Sequence, residues 1–199
     1  MKKRLRRLCS ELLILAGVIV VSLAARSVLA DHYYIPSESM EHSLLVGDRV
    51  MVDKTAYGLR IPFTDIKLVD GPSPERGEIV IFDSPESGLR LIKRVVAVAG
   101  DRVEVHGGKL IINGARIESD TVADLEVFGE RQATLNMAVG GGPDMEPKVV
   151  SPGTVMVMGD NRGNSRDSRA FGFIPESAIY GHAVRLYYRR GDGFLWRPI

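Results

Sequence analysis

Residues 91–99 read Leu-Ile-Lys-Arg-Val-Val-Ala-Val-Ala, and this run decides the fold class. Seven of its nine residues are aliphatic, which favours a strand in so short a segment. Alternate side chains of a strand share one face, so Lys93 lies on the face that carries Leu91 and Val95. Arg94 points to the opposite face, where we expect an acidic partner. The run therefore predicts a strand that holds an amine among apolar neighbours.

Short alternating or apolar runs of the same kind recur from residue 31 onward. They lie at residues 49–52, 78–82, 91–99, 102–106, 109–112, 154–158 and 183–188. Turn-forming pairs separate them, and Asn113-Gly114 indicates a hairpin. The pattern predicts a mostly β domain over residues 31–199. Residues 119–152 are less regular and predict a small insertion or a long flap, to which we assign no chemistry.

The first thirty residues follow a different pattern. Residues 1–7 read MKKRLRR with five positive side chains, and residues 8–25 are apolar apart from two serines and one glutamate. This predicts a cytoplasmic basic segment at 1–7 and a single transmembrane anchor at 8–30 of the cell membrane. The domain 31–199 then lies on the outer, periplasmic or extracellular side. A cleavable signal peptide ending at Ala30 is the alternative, and it exports the same domain.

The composition excludes several classes of protein. Lys and Arg number 26 against 25 Asp and Glu, so no broad basic field indicates a nucleic-acid partner. The single cysteine, Cys9, excludes an intramolecular disulfide, and four scattered histidines have no metal-ligand spacing. We therefore predict no metal and no other cofactor.

A serine-rich segment is the first candidate for chemistry. Residues 35–40 read Ile-Pro-Ser-Glu-Ser-Met, and Ser37 and Ser39 would share one side of an extended chain. Such a segment after an anchor is more often a solvated loop than an active site. A serine also needs a base nearby to act as a nucleophile. Lys93 would supply that base if its face were buried, since desolvation lowers the pKa of an ammonium group. The alternative is an ordinary edge-strand lysine.

A polar segment is the second candidate. Residues 159–169 read Gly-Asp-Asn-Arg-Gly-Asn-Ser-Arg-Asp-Ser-Arg and follow the apolar run at 154–158. Loops at strand ends commonly carry functional side chains. The density of short donors and acceptors indicates a preorganised network rather than a solvated turn.

These motifs together resemble the type I signal peptidase family, also called leader peptidase. The resemblance covers nearly the whole chain, in four segments that keep the family's order. They are residues 36–48, 76–82, 92–101 and 159–175. It implies a membrane-anchored Ser-Lys dyad peptidase that cleaves signal peptides from exported preproteins. It also implies a mostly antiparallel, barrel-like β fold with a small inserted β subdomain, here residues 102–152.

The resemblance further implies roles for individual residues. Ser39 would attack the scissile carbonyl, Lys93 would accept its proton, and Ser37 with the Ser39 amide would stabilise the oxyanion. The substrate would carry small side chains before the cut and would bind as an extended strand in shallow apolar pockets. Candidate pocket residues are Ile35, Met40 and Val95.

Supporting roles are implied for residues around the dyad. Ser165 would orient the dyad lysine. Asp160 would pair with Arg94. Asp167 with Arg169 would stiffen the wall of the site.

The chain departs from the family pattern at His42, at Ser43 and at residues 97–100. His42 opens one alternative, a serine hydrolase with a histidine base, although no acidic residue stands at a spacing that would orient it. A second alternative is a catalytically silent, membrane-anchored, β-rich binding module. A third, a self-cleaving Ser-Lys repressor, should carry a DNA-binding domain where this chain has an apolar span. We expect a monomer whose partners are preproteins and a lipid bilayer.

Overall fold

The computed structural model describes residues 11–20, 22–23, 29–61, 64 and 66–199. Residues 11–20 are helical and exposed, as are residues 22 and 23. The predicted basic segment at 1–7 lies outside the described residues, and so do residues 8–10, 21 and 24–28 of the predicted anchor. No helix in the described ranges is long and apolar enough to cross a membrane.

The described part from residue 29 onward is dominated by β-strands. The strands are β1 (Ala30–Tyr34), β2 (Arg49–Asp53), β3 (Gly58–Arg60), β4 (Lys67–Asp70), β5 (Ile79–Asp83), β6 (Arg90–Ala97), β7 (Arg102–His106), β8 (Lys109–Ile112), β9 (Ala115–Arg116), β10 (Leu125–Phe128), β11 (Arg131–Thr134), β12 (Met145–Val149), β13 (Thr154–Met158), β14 (Ile174–Pro175), β15 (Ile179–Arg189) and β16 (Gly193–Pro198). Single 3₁₀ turns occur at Glu38–Met40, Arg162–Asn164 and Glu176–Ala178, and one short α-helix at Ser168–Phe171.

An eight-stranded antiparallel sheet, here called the main sheet, forms the body of the domain. Its order is β1-β2-β15-β5-β6-β13-β14, with β16 paired to β15. Strand β15 has eleven residues, and its residues 182–188 pair with β2 along one edge. Along the other edge, residues 179–182 pair with β5 and residues 185–189 pair with β16. The mostly β, antiparallel prediction is confirmed. Barrel-like closure is not observed, because no ladder joins β1 to β14 in the part of the chain that the structure describes.

The two central strands explain why a charged strand can be stable. Strand β5 is buried from Ile79 to Phe82 and β6 from Ile92 to Ala97, so both faces of each strand are covered. Strand β2, which lies between β1 and β15 nearer the end of the sheet, instead alternates between buried and more exposed residues. Apolar clusters therefore pack on both sides of the sheet, and Lys93 and Arg94 enter opposite layers of the interior.

Residues 102–149 contain a second set of strands. Strands β12, β7, β8 and β9 form a four-stranded sheet, here called the inserted sheet, and β10 with β11 forms a separate pair, here called the inserted hairpin. The Asn113-Gly114 turn joins β8 to β9 with φ of +54° and +83°, as the hairpin prediction required. Residues 119–152, for which we expected a small insertion or a long flap, contain the strands β10, β11 and β12, whose short runs lack strong alternation in the sequence.

Two phenylalanines test this assignment of the core. Phe82 is fully buried and packs edge-on against Phe171 at 6.1 Å between ring centroids, whereas Phe194 is 87% exposed. We expect Phe82→Ala to lower the free energy of unfolding by about 3–5 kcal/mol, because it leaves a cavity. Phe194→Ala, the matched control, should cost less than about 1 kcal/mol. Urea denaturation measures both, and equal losses would contradict the assignment.

Candidate active site

The serine segment lies at the edge of the main sheet's core. The Ile35 amide donates to the Asp48 carbonyl at 2.9 Å, and the Gly47 amide donates to the Ile35 carbonyl at 3.0 Å, which fixes the entry of the chain. Ser37 is extended, and the chain then makes the 3₁₀ turn Glu38–Met40. Burial of the side chains on either side of the serines holds this turn against the sheet.

Ser39 and Lys93 are in direct contact. Lys93 Nζ lies 2.6 Å from Ser39 Oγ and 3.1 Å from the Ile92 carbonyl oxygen, to which it donates. Lys93 is 3% exposed and Ser39 is 7% exposed, so little water reaches the contact. Ser37 Oγ lies 3.4 Å from Ser39 Oγ. The structure thus brings together the three residues that the sequence selected for the chemical step.

Burial changes the acidity of the lysine. Desolvation lowers the pKa of Lys93 to about 8 from its ordinary value of 10.5, and the carboxylates of Asp167 and Asp160 oppose this shift. Because its pKa is lowered, a sizeable fraction of the amine is neutral at mildly alkaline pH. A neutral amine in contact with a hydroxyl can act as a general base.

Asp167 is the centre of the polar loop at 159–169. Its carboxylate accepts hydrogen bonds from Ser165 Oγ at 2.7 Å and from the Gly159 amide at 3.1 Å. Arg169 binds it with Nε and Nη2, each at 2.8 Å. Burial alone raises the pKa of Asp167, but Arg169, Ser165 and Gly159 more than offset it, so the pKa is lowered. The loop therefore holds a fixed negative charge that acts on Lys93.

Ser165 differs from its expected role. Its hydroxyl donates to Asp167 and makes no hydrogen bond with Lys93 within the described residues. It still packs at the site, because a Cβ added at Gly159 would lie 2.3 Å from Ser165 Oγ and 2.4 Å from the Ser39 carbonyl oxygen. Ser165 and the Ser39 backbone thus enclose Gly159 from two sides.

Arg94 and Asp160 form a buried, two-pronged ion pair. Arg94 Nε lies 3.0 Å from Asp160 Oδ1, and Nη2 lies 2.7 Å from Oδ2. The guanidinium also donates to the Gly77 carbonyl at 2.7 Å and to Ser43 Oγ at 3.1 Å. A hydroxyl at position 43 therefore satisfies one donor of this arginine. The pair fixes the start of the polar loop to β6, beside Lys93.

The polar loop also contacts the serine turn directly. The Asn161 amide donates to the Ser39 carbonyl at 3.1 Å. Asn164 Nδ2 donates to Glu38 Oε2 at 3.1 Å. The position of Ser39 thus depends on the loop as well as on its own segment.

Two residues of this region were not singled out from the sequence. Arg162 and Glu126 are buried and form a two-pronged ion pair. Arg162 Nη1 lies 2.9 Å from Glu126 Oε1, and Nη2 lies 2.5 Å from Oε2. Burial raises the pKa of Glu126, and Arg162 opposes that shift. Arg162 stands within the polar loop, so its motif was a signal, but Glu126 is 36 residues away in a stretch to which we assigned no chemistry.

The three residues predicted to contact substrate are buried in this conformation. Ile35, Met40 and Val95 have no exposed surface, because they belong to two packed apolar clusters. His42 forms a backbone bridge with Leu135 and makes no hydrogen bond to Ser39 in the described part of the chain. No group of three or more acidic, histidine or cysteine side chains in the described ranges could hold a metal ion.

Most of the chain is similar in sequence to known proteins. The family model described as "Signal peptidase, peptidase S26" matches residues 6–188. "Signal peptidase I" of Pseudomonas fluorescens is 33% identical over 196 residues, covering 85% of this chain and 69% of that protein. "Thylakoidal processing peptidase 1, chloroplastic" of Arabidopsis thaliana is 37% identical over 175 residues, covering 85% and 45%. A crystal structure of a signal peptidase I from Enterococcus faecalis has 30% identity and a TM-score of 0.40, covering 56% of this chain and 97% of that one.

The close approach at Gly159 makes a prediction about stability. A methyl group there would meet Ser165 and the Ser39 carbonyl, so Gly159→Ala should force the loop away. We expect the free energy of unfolding to fall by about 1–3 kcal/mol. For a chain of this size, that change lowers Tm by about 2–12 °C.

The control is Gly153→Asn, where φ is +71° and no atom lies within 4 Å of the added carbon. Asparagine tolerates this backbone region, so the change in Tm should be small. Differential scanning calorimetry compares the two variants. An unchanged Tm for Gly159→Ala would show that the loop accommodates the methyl group.

Proposed function

The chain belongs to the signal peptidase family, peptidase S26, and from this premise we propose a membrane-anchored serine endopeptidase with Ser39 as nucleophile and Lys93 as general base. Its proposed reaction is the removal of amino-terminal signal peptides from exported preproteins. The observation that carries the proposal is the buried contact of 2.6 Å between Lys93 Nζ and Ser39 Oγ. A nucleophile and a base within hydrogen-bond reach, with little water between them, suit covalent catalysis.

The first half of the proposed reaction forms an acyl-enzyme. Ser39 Oγ attacks the scissile carbonyl carbon while the neutral amine of Lys93 takes the hydroxyl proton. The carbonyl oxygen becomes an oxyanion, which Ser37 Oγ and the Ser39 amide stabilise as hydrogen-bond donors. When the C–N bond breaks, the Lys93 ammonium returns its proton to the leaving amine. The new amino terminus of the mature protein then departs.

The second half hydrolyses the ester. The neutral Lys93 amine takes a proton from a water molecule, and the resulting hydroxide attacks the acyl carbon. The second oxyanion forms at the same donors, and Ser39 leaves with the proton that Lys93 returns. The signal peptide departs with a new carboxyl terminus. Lys93 thus acts alternately as base and acid, so its pKa must lie near the working pH.

The supporting residues act through geometry and charge in this proposal. Asp167, fixed by Arg169 and Ser165, keeps the pKa of Lys93 from falling further. Asp160 contributes to the same effect and, through Arg94, fixes the loop to β6. Neither carboxylate touches the reacting atoms in this scheme, so we propose positioning roles for both.

The amino-terminal segment fits an anchoring role. Leucine, isoleucine and valine side chains at 12–15 and 18–20 are 49–73% exposed, a large apolar surface that lipid could cover. The basic residues at 1–7 favour a cytoplasmic amino terminus, which places residues 31–199 on the outer side of the membrane. Attachment of enzyme and preprotein to one bilayer raises their effective concentration. We propose a monomer that binds the small-residue region of the preprotein as an extended strand.

Cleavage of a model preprotein tests the proposed function. The detergent-solubilised full chain should produce a mature protein whose new amino terminus follows a small residue, as shown by amino-terminal sequencing. Ser39→Ala and Lys93→Met should each reduce kcat by about 10⁴-fold or more, because each removes one half of a catalytic unit.

His42→Ala is the control in the same assay. It should retain most of the activity, because His42 has no hydrogen bond to Ser39 in the described part of the chain. If His42→Ala lost activity and Lys93→Met retained it, the base would be the histidine and not the lysine. No cleavage of any preprotein by the unmodified chain would leave a binding module as the better interpretation.

The lowered pKa of Lys93 predicts the pH dependence. The base is active when neutral, and the neutral fraction rises with pH, so kcat/KM should rise about tenfold per pH unit below the pKa and level off above pH of about 8. The measurement is kcat/KM against pH with a substrate that does not titrate in this range. His42→Ala should keep the same profile, and a profile that falls between pH 7 and 9 would contradict a lysine base.

A further inference from the structure

The Arg162–Glu126 ion pair lies outside the chemistry described above. Both side chains are at most 1% exposed, and two short contacts join the guanidinium to the carboxylate. Glu126 belongs to β10 of the inserted hairpin, whereas Arg162 belongs to the polar loop. A buried cation is costly unless it is fully paired, so this contact constrains both segments strongly.

Three separate segments converge on the Arg162 guanidinium. Nε donates to the Gly159 carbonyl at 3.1 Å, within the polar loop itself. Nη1 donates to the Gly108 carbonyl in the β7–β8 turn of the inserted sheet and to Glu126. The planar fork of an arginine fixes the directions of its donors. Arg162 therefore joins the loop to both parts of the insertion at a defined geometry.

The backbone that immediately precedes Arg162 reaches the 3₁₀ turn that carries Ser39. The Arg162 amide donates to the Asn136 carbonyl at 3.1 Å, and the Asn136 amide donates to the Asp160 carbonyl at 2.9 Å. Between them, the Asn161 amide donates to the Ser39 carbonyl at 3.1 Å. A shift of Arg162 thus moves the residue that holds the backbone of Ser39.

A second path leads from Arg162 to the charge near Lys93. The Arg162 carbonyl accepts a hydrogen bond from Arg169 Nη2 at 2.8 Å. Arg169 also donates to the Gly141 carbonyl at 2.6 Å, and it binds Asp167. Asp167 in turn acts electrostatically on Lys93. Both members of the Ser39–Lys93 contact are therefore connected to Arg162.

We propose that Glu126 is a positioning residue, which fixes the polar loop against Ser39 through Arg162. The inserted sheet and the inserted hairpin thereby hold the site in position. This inference rests on the proposed function for its kinetic consequence only. Glu126 touches neither substrate nor the reacting atoms. An apolar pair of similar volume could fill the same space, so the charges serve geometry rather than net stability.

Kinetics provide the first test. Glu126→Gln keeps the shape of the side chain but removes its charge, and it should lower kcat by about tenfold to a hundredfold while KM changes by less than about twofold. Glu126→Asp keeps the charge and should retain more of kcat than Glu126→Gln. The matched control is Glu118→Gln, which removes a partner of Lys109 next to the inserted sheet. It should leave kcat unchanged.

Hydrogen exchange provides a readout that does not depend on activity. In Glu126→Gln the Asn161 amide should exchange about tenfold faster or more, because the loop opens locally. The Val95 amide, which donates to the Glu78 carbonyl at 2.8 Å in the main sheet, should be unchanged. Equal acceleration at both amides would indicate general destabilisation and overturn the proposal. No acceleration at Asn161 would also overturn it.

A double variant covers the case in which Glu126→Gln does not fold. Glu126→Leu combined with Arg162→Met replaces the ion pair by apolar side chains and should fold. Its Asn161 amide should still exchange faster, and its kcat should remain low. A folded double variant with the kcat and the Asn161 exchange of the unmodified chain would overturn the proposal. If the unmodified chain cleaves no preprotein, the proposed function fails, and hydrogen exchange alone still decides the role of Glu126.

Discussion

The contact between the Lys93 amine and the Ser39 hydroxyl imposes a condition on the rest of the structure. Burial lowers the pKa of this amine to about 8, and here the burial comes from a strand that is covered on both faces. The central position of β6 in the main sheet satisfies that condition. The serine must also lie beside this strand. Packed neighbours and the polar loop hold its turn there, rather than contacts within its own short segment.

Buried ion pairs surround this contact, and they are best understood through geometry. Arg94 with Asp160, Arg169 with Asp167, and Arg162 with Glu126 are each nearly inaccessible to solvent. Desolvation offsets much of the Coulomb attraction in such pairs, so their net contribution to stability is small. Their geometric effect is large, because a planar guanidinium accepts only a few arrangements of its partners. The site is thus a set of fixed charges around one amine that is easily neutralised.

The sequence predicted most of what depends on local pattern. The run at 154–158 coincides with β13, and the run at 91–99 overlaps β6, because buried strands have long apolar segments. Pairing across long separations had no local signal. Asn136 meets Asp160, and β10 to β12 are short strands in a polar region. Ser165 was expected to bind the lysine, but its hydroxyl donates instead to the Asp167 carboxylate two residues away, at 2.7 Å.

The first strand has a consequence for where the site can operate. Ala30 is already paired with Asp53 of β2, and residues 22 and 23 are exposed and helical. The chain between residues 23 and 30 can span no more than about 25 Å even when fully extended. With the proposed anchor in a bilayer, this short connection would hold the main sheet close to the lipid surface. The proposed peptidase would then select bonds by their distance from the membrane surface as well as by their side chains.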